Sequence, residues 1–350
     1  MQGTFISELS TAMLCPLEED YCVLSQAMRS GTSPYAVALF LLVLGTGCQS
    51  SSSRRVISAI PQDAPEADCV AEHAGLANAA RKHNVSIYWN GPGGDNDNEQ
   101  QIALMEAAIR KRYMGIVLTP TAPFAMDTVI ERALLLKIPV VVFGAPIPLP
   151  PDPNLSFVMN DFQRSGSLAA ERIHTLIGDE GEVAVAGIDA MSPGSVACAD
   201  AFEDALRRLA PHVRVVSQLT GFYTSGQTET ALEQVLEQYP HLSAIYSLNP
   251  GVTHGAVAAV RDSHPSKKVI IIGNDQAIDL LFLVRERVID SLVIKDMPNM
   301  GARAVDNIVA LKSHRPVSPV STYEPVLATA DNIDTEPLQR VLNMDWRPGP

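Results

Sequence analysis

The stretch that most constrains this chain is residues 269–279, VIIIGNDQAID. An unbroken run of β-branched residues has no polar face, so it suits a parallel strand covered by helices on both sides. The run stops at Gly273, Asn274 and Asp275, and a helical pattern follows. An acid at the carboxyl end of such a strand lies where open α/β sheets bind ligands, because the loops there line a crevice that the strands hold rigid. Asp275 is therefore the first candidate ligand contact. Its competing role is N-cap of the helix that follows, since aspartate commonly caps strand-to-helix turns.

The same rhythm runs through the chain. Residues 54–60 (RRVISAI), 85–89 (VSIYW), 115–118 and 138–143 read as strands. Between them, 66–82, 99–111 and 124–136 read as helices, the second with Ile102, Met105, Ala108 and Ile109 at helical spacing. Three βα units in succession imply a parallel sheet with right-handed crossovers. Pro146, Pro148, Pro150, Pro151 and Pro153 then make 145–154 a stiff surface loop. A short strand at 156–159 leads to Asn160 and Asp161, which suit both a cap for a helix over 162–177 and a hinge.

The rhythm restarts with strands at 182–186, 213–217, 244–248, 269–272 and 291–294, and helices at 195–209, 226–239, 252–261 and 277–286. A helix over 300–311 and an irregular proline-containing tail complete it. The expected class is α/β, as two similar doubly wound parallel-sheet lobes. A chain of 350 residues with 46% hydrophobic content can bury two such cores and is too long for one ordinary open sheet. A formal net charge of -13 argues against a nucleic-acid partner, which requires a basic face to neutralise phosphates.

Residues 36–47, AVALFLLVLGTG, are too few to span a bilayer and match the apolar core of a secretory signal. Glu18, Glu19 and Asp20 do not suit the positive end of such a signal, whereas Met28-Arg29-Ser30 does. Residues 1–27 are accordingly read as an upstream extension and 28–48 as the signal. The stretch 44–48, LGTGC, resembles the lipobox of bacterial lipoproteins, which makes Cys48 the lipidated residue and 49–54 a serine-rich tether. The expected location is the cell envelope: the periplasm, with a lipid anchor in the membrane. Of the five cysteines, only Cys69 and Cys198 then remain in the mature fold. An oxidising compartment permits their pairing, and free thiols are the default.

The order and spacing of AEHAGLANAARKHNVSIYWNGP, DNEQQIALMEAAI, GIVLTP, KIPVVVFG, FVMNDFQRSGSLAAERI, YPHLSAIYSLN, VIIIGNDQ and MPNMGARAVDNIV resemble the periplasmic substrate-binding proteins of the ribose type. These are the sugar-binding relatives of ABC transporters. The resemblance implies a clam-shell with three crossings, near 156–160, 293–296 and 322–324, and closure on a ligand in the cleft. It divides the mature chain into a first lobe of 55–157 plus about 296–321 and a second of 158–295 plus about 322–345. Repressors share the likeness, but here a signal, lipobox and serines stand where their DNA-binding domain would be.

The resemblance places Asp275 as a carboxylate accepting from sugar hydroxyls, and Asn249 as an amide contact that competes with a capping role. Tyr223 is placed as an aromatic packing on the ligand, with Phe222 as its register-shifted alternative. Elsewhere the pattern departs. The usual paired aromatics at the start of the first helix are Asp68 and Cys69, the Asp-Arg pair after the fourth strand is Gly144-Ala145, an expected arginine falls near 196–198, and the late-crossing glutamine falls near Lys295. A different sugar, a ligand that is not a sugar, and lost binding are all compatible with these changes.

Cys69 and His73, four apart on one helix face, are candidate metal ligands, with Cys198 across the cleft as a further one. Two ligands on one helix do not make a site, so no metal is expected. The plainer reading is a capping Asp68, a buried Cys69 and a solvated Glu72 and His73. No GxxxxGK[ST], HExxH or mature-fold GxSxG is present, and Gly91-Pro92-Gly93-Gly94 reads as a turn. The reading is of a monomeric, non-enzymatic binder without a cofactor. It takes a sugar or polyol and presents it to an ABC-type permease. The alternative is a sensor signalling to a membrane receptor.

Overall fold

The computed structural model describes residues 55–62, 67–93, 97–144, 146–221, 224–274 and 277–342, with only backbone described at 67–70. All of them belong to one unit, Arg54–Pro350. Cys48, Phe222, Tyr223 and Asp275 lie outside the described residues, as do the side chains of Asp68 and Cys69.

In chain order the first elements are β1 (Val56–Ile60), α1 (Ala67–Lys82), β2 (Ser86–Trp89), α2 (Asn98–Arg110), β3 (Gly115–Leu118), α3 (Asp127–Leu135), β4 (Val140–Phe143) and β5 (Leu155–Asn160). There follow α4 (Phe162–Ile177), β6 (Glu180–Ile188), α5 (Pro193–Leu209), β7 (His212–Thr220), α6 (Ser225–Gln238), β8 (Ala244–Ser247), α7 (Pro250–Ser263), β9 (Ile270–Asn274), α8 (Ile278–Arg285) and β10 (Ser291–Ile294). The last are α9 (Met297–Lys312), β11 (Val320–Tyr323), β12 (Val326–Thr329) and α10 (Glu336–Leu342). Two six-stranded sheets result, ordered β11-β5-β4-β3-β1-β2 and β12-β10-β9-β8-β6-β7. Every pair is parallel except β10 with β12.

Each strand feeds two cores because successive side chains point to opposite faces. In the first sheet, Ala59, Val117, Val141 and Phe143 pack with α1 and α9, which contribute Leu76, Met300, Ala304 and Ile308. Their neighbours Ile60, Ile116, Leu118, Val140 and Val142 pack on the other face with Met105 of α2 and Ile130 of α3. The second sheet divides the same way. Val183, Val185 and Tyr246 meet Ala169 of α4 and Phe202 of α5, whereas Ala184, Ile245 and Ile271 meet Leu232 of α6, Ala256 of α7 and Leu281 of α8.

Three element boundaries differ from expectation for identifiable reasons. Pro123–Ala125 forms a 3-10 turn, so α3 starts only at Asp127. Helix α9 starts three residues before the expected 300, because Asp296 caps it and Pro298 falls in the first turn, where a missing N–H costs nothing. The tail is not irregular: β11 adds to the first sheet beside β5, and β12 to the second beside β10. Both are four-residue edge strands, and β11 alternates between exposed and half-buried positions, so neither carries the continuous apolar run of a central strand.

Helix α9 follows β6 to β10 of the second lobe in sequence yet packs on α1. Glycines permit the approach. A Cβ at Gly75 would lie 2.8 Å from the Pro298 carbonyl oxygen, and one at Gly301 would lie 2.8 Å from the Leu76 nitrogen and 3.1 Å from the Glu72 carbonyl oxygen. Gly301→Ala is expected to destabilise the protein by about 1–3 kcal/mol, the usual cost of overpacking against backbone. Gly226→Ala, whose Cβ would meet nothing within 4 Å, serves as control and is expected to leave thermal unfolding unchanged or raised slightly.

Candidate functional site

Strand order locates a crevice in each lobe. The chain goes from β1 to one side for β2 and to the other for β3, so β1 and β3 flank the first switch point; β6 and β8 flank the second. Ligands of doubly wound sheets bind outside the carboxyl ends at such points, where consecutive loops diverge and leave a gap. Three short crossings join the carboxyl edges of the two sheets: Asp161 after β5, Lys295 and Asp296 after β10, and Glu324 and Pro325 between β11 and β12. The Asp161 amide donates to the Tyr323 carbonyl at 2.8 Å and ties two of them together. Both switch points therefore lie on the edge where the lobes are joined.

At the first, the Thr119 amide extends the ladder beyond β3 by donating to the Ile60 carbonyl at 3.0 Å. Gln101 of α2, fully buried, holds both loops. Its Nε2 donates to the Pro61 and Thr119 carbonyls at 3.0 and 2.9 Å, and its Oε1 accepts from the Thr121 amide at 2.9 Å. Glu72 of α1 sits over the same edge with 2% exposure. The Thr119 hydroxyl lies 3.2 and 3.3 Å from its two carboxyl oxygens. Burial pushes the Glu72 carboxyl up to about 8, against the opposing pull of the Thr119 hydroxyl and the Lys295 charge.

This corrects the expectation of a solvated Glu72; His73 is exposed, beside Trp89 at 4.9 Å between ring centroids. The missed signal is helical register. Glu72 lies four and seven residues before Leu76 and Ala79, on the stripe that α1 buries. Gln101 stands in the same relation to Met105 and Ala108 of α2.

At the second switch point, Asn249 follows β8 and caps α7, its Oδ1 accepting from the Val252 amide at 2.9 Å. Its Nδ2 has no acceptor among the described residues. Across from it, Ser195 of α5 donates to the Gly187 carbonyl and accepts from the Asp189 amide, each at 3.0 Å, and fixes the turn after β6. Helix α8 begins at Ile278, with Ala277 at its N-cap position and no side-chain cap bond. His254 of α7 pairs with Asp279 at 3.2 Å at the same edge.

Lys295 is half-buried in the crossing after β10, where its charge acts on Glu72 of the other lobe. Cys198 corrects another expectation. It is 1% exposed in the core between α4 and α5, with its Sγ donating to the Phe162 carbonyl at 3.3 Å, and so is not displayed across the cleft as a metal ligand.

Comparison with known proteins agrees with this architecture. A family model described as a periplasmic binding protein domain matches residues 69–316, and the chain belongs to that family. A ribose import binding protein of Bacillus subtilis is 23% identical over 233 residues, 66% of this chain and 73% of that protein. The D-allose-binding periplasmic protein of Escherichia coli is 23% identical over 255 residues, 70% and 81% of the two chains. Among solved structures, a carbohydrate transporter solute-binding protein of Agrobacterium radiobacter in complex with D-arabinose has a TM-score of 0.75 at 20% identity, covering 84% of this chain and all of that one. An arabinose-binding protein from Geobacillus stearothermophilus has a TM-score of 0.73 at 23% identity, covering 80% and 97%. The shared fold is that of two-lobed, type I periplasmic binding proteins.

The Glu72 carboxyl makes stability depend on pH. Because its folded value is raised from 4.5 to about 8, the folded state holds a proton that the unfolded chain releases above 4.5. Its contribution to stability is complete below pH 4.5 and is lost as pH rises to about 8, at up to about 1.4 kcal/mol per pH unit. Glu72→Gln is therefore expected to unfold at a temperature that, relative to wild type, climbs between pH 4.5 and 8 and then levels off. A difference independent of pH, measured by calorimetry, would show that the carboxyl does not titrate as its burial demands.

Proposed function

We propose that this protein captures a small polyhydroxyl solute, a sugar or polyol, between the two switch points and delivers it to an ABC-type permease. The observation that carries this is topological: all three crossings leave along the carboxyl edges, where both crevices open. Hinged closure over a solute there gains contacts that the open form lacks, which is what binding needs in order to shift the equilibrium. The relatives named for ribose and D-allose support the solute class.

Within that reading, Asn249 Nδ2 donates to a ligand hydroxyl while Oδ1 keeps its capping bond. Asp275 accepts from hydroxyls at the carboxyl end of β9, Lys295 donates from the crossing, and Tyr223 lies against an apolar C–H face. Asp68 and Cys69, in the first turn of α1, are the ligand contacts proposed from the first lobe in place of aromatic rings. The protein acts as a monomer in the envelope, released from its signal at residue 48 and held to the membrane by lipid on Cys48. No observation among the described residues favours the sensor alternative.

Thermal-shift screening of the mature domain against D-ribose, D-allose and D-arabinose tests the assignment. Asn249→Asp retains the capping oxygen and loses the Nδ2 donors. It and Asp275→Ala are each expected to weaken sugar binding by about 1–3 kcal/mol, roughly five- to 150-fold, with little change in the ligand-free protein. Stabilisation by sugar equal to wild type in both variants would refute the cleft assignment. For the anchor, Cys48→Ser is expected to lose both acylation and partition into membranes; retention of both would refute the lipobox.

A further inference from the structure

We propose that Glu72 is a ligand contact at the first lobe's switch point, that it meets the ligand as a neutral acid, and that solute capture is consequently coupled to uptake of a proton. The inference rests on the sugar-capture reading of the same cleft. It adds to that reading a contact residue and a pH dependence.

Three observations converge on this residue. A carboxyl group has about four hydrogen-bonding positions, yet among the described residues Thr119 alone reaches Glu72, at 3.2 and 3.3 Å from its two oxygens. Among the described residues most of that capacity is therefore unspent, in a group with 2% exposure. Second, the fold supplies no structural reason for an acid here: Leu76 and Ala79, next on the same helix stripe, are apolar and packed in the core. Third, the group stands at the carboxyl end of β3, beside β1, where the topology leaves its crevice. A buried acid with a strongly displaced pKa in a cleft is the physical signature of a functional group, because burying it for packing alone costs stability.

The charges around Glu72 set the direction of the coupling. Lys295, from the crossing after β10, favours the ionised form, as does the Thr119 hydroxyl from the end of β3. Helix α9 brings backbone at Pro298 and Gly301 to the same part of α1, and β1 brings Ile57 and Ala59, none of them charged. On α1 itself, Asp68 and Cys69 precede it by one turn, and His73 is exposed beside Trp89. Burial outweighs the two favourable partners and holds the carboxyl at about 8. A neutral polyol that fills the crevice displaces water and penalises the carboxylate further. The neutral acid instead offers its O–H to a ligand hydroxyl and its carbonyl oxygen to Thr119, and a hydroxyl can serve as either partner. The proton comes from solvent and returns there on release.

Isothermal titration of the mature protein with D-ribose, D-allose and D-arabinose, in phosphate and in Tris at pH 8.5, reads the coupling directly. The expected result is a binding enthalpy that differs between buffers by the amount required for uptake of a fraction of one proton. Affinity is expected to rise as pH falls from 9 to 6, by at most about tenfold per pH unit. In Glu72→Gln both effects are expected to vanish while binding persists. Should that variant fail to fold, Thr119→Val provides the check: without the hydroxyl that favours the carboxylate, the pH at which affinity changes is expected to move upward. Binding by wild type with no proton exchange, or with proton release, overturns the coupling and leaves sugar capture intact. An unchanged pH slope in Glu72→Gln does the same. No binding of any of the three sugars at any pH overturns both.

Discussion

The packing of α9 on α1 is the contact on which the first lobe and its crevice depend. One face of the first sheet is covered by these two helices together, yet α1 follows β1 and α9 follows the last strand the chain gives to the second lobe before it returns. Only because Gly75 and Gly301 carry no Cβ do the two backbones come close enough to bury Leu76, Met300, Ala304 and Ile308 between them. That burial is the hydrophobic gain that offsets the entropy of bringing distant segments together. It also brings the crossing with Lys295 over the lobe that contains Glu72. Core packing and site assembly are thus one event.

The chemistry at that junction follows from competing magnitudes. Removing a carboxylate from water costs several kcal/mol, whereas a hydroxyl and a half-buried ammonium return only part of it. Glu72 therefore holds its proton near neutrality. Gln101 shows the contrasting solution: an uncharged amide, equally buried, with each of its polar atoms matched to a loop carbonyl or amide. One buried polar group is satisfied and rigidifies the crevice, and the other, among the described residues, retains capacity for a partner.

Much of this architecture is legible in the chain. The alternation of β-branched runs with amphipathic stretches marks the doubly wound class, since each strand must supply apolar side chains to both faces, as Val140 to Phe143 and Ile270 to Ile272 do. Asn249 at the end of IYSLN and Asp161 before FQRSG are likewise legible as caps, because capping is a local bond to an amide three residues ahead. The first turn of α9 is less so, since Pro298 reads as a breaker until it is known to follow a cap.

Local pattern ends where burial depends on remote packing. Glu72 reads as a solvated acid in AEHAG, and only the arrival of α9 and the end of β3 buries it at the edge of the crevice. Cys198 reads as a cleft residue, and the closeness of α4 and α5 turns it into core. The short strands after 319 lack a continuous apolar run because they pair at sheet edges, where the sheet itself supplies the neighbours. The sequence by itself determined the strand and helix periods, the caps and the class of fold, all of which rest on interactions within a few residues. Which acid is buried, which thiol is hidden and which loops share an edge were decided only by the tertiary structure, because solvent exclusion is a property of segments that meet in space.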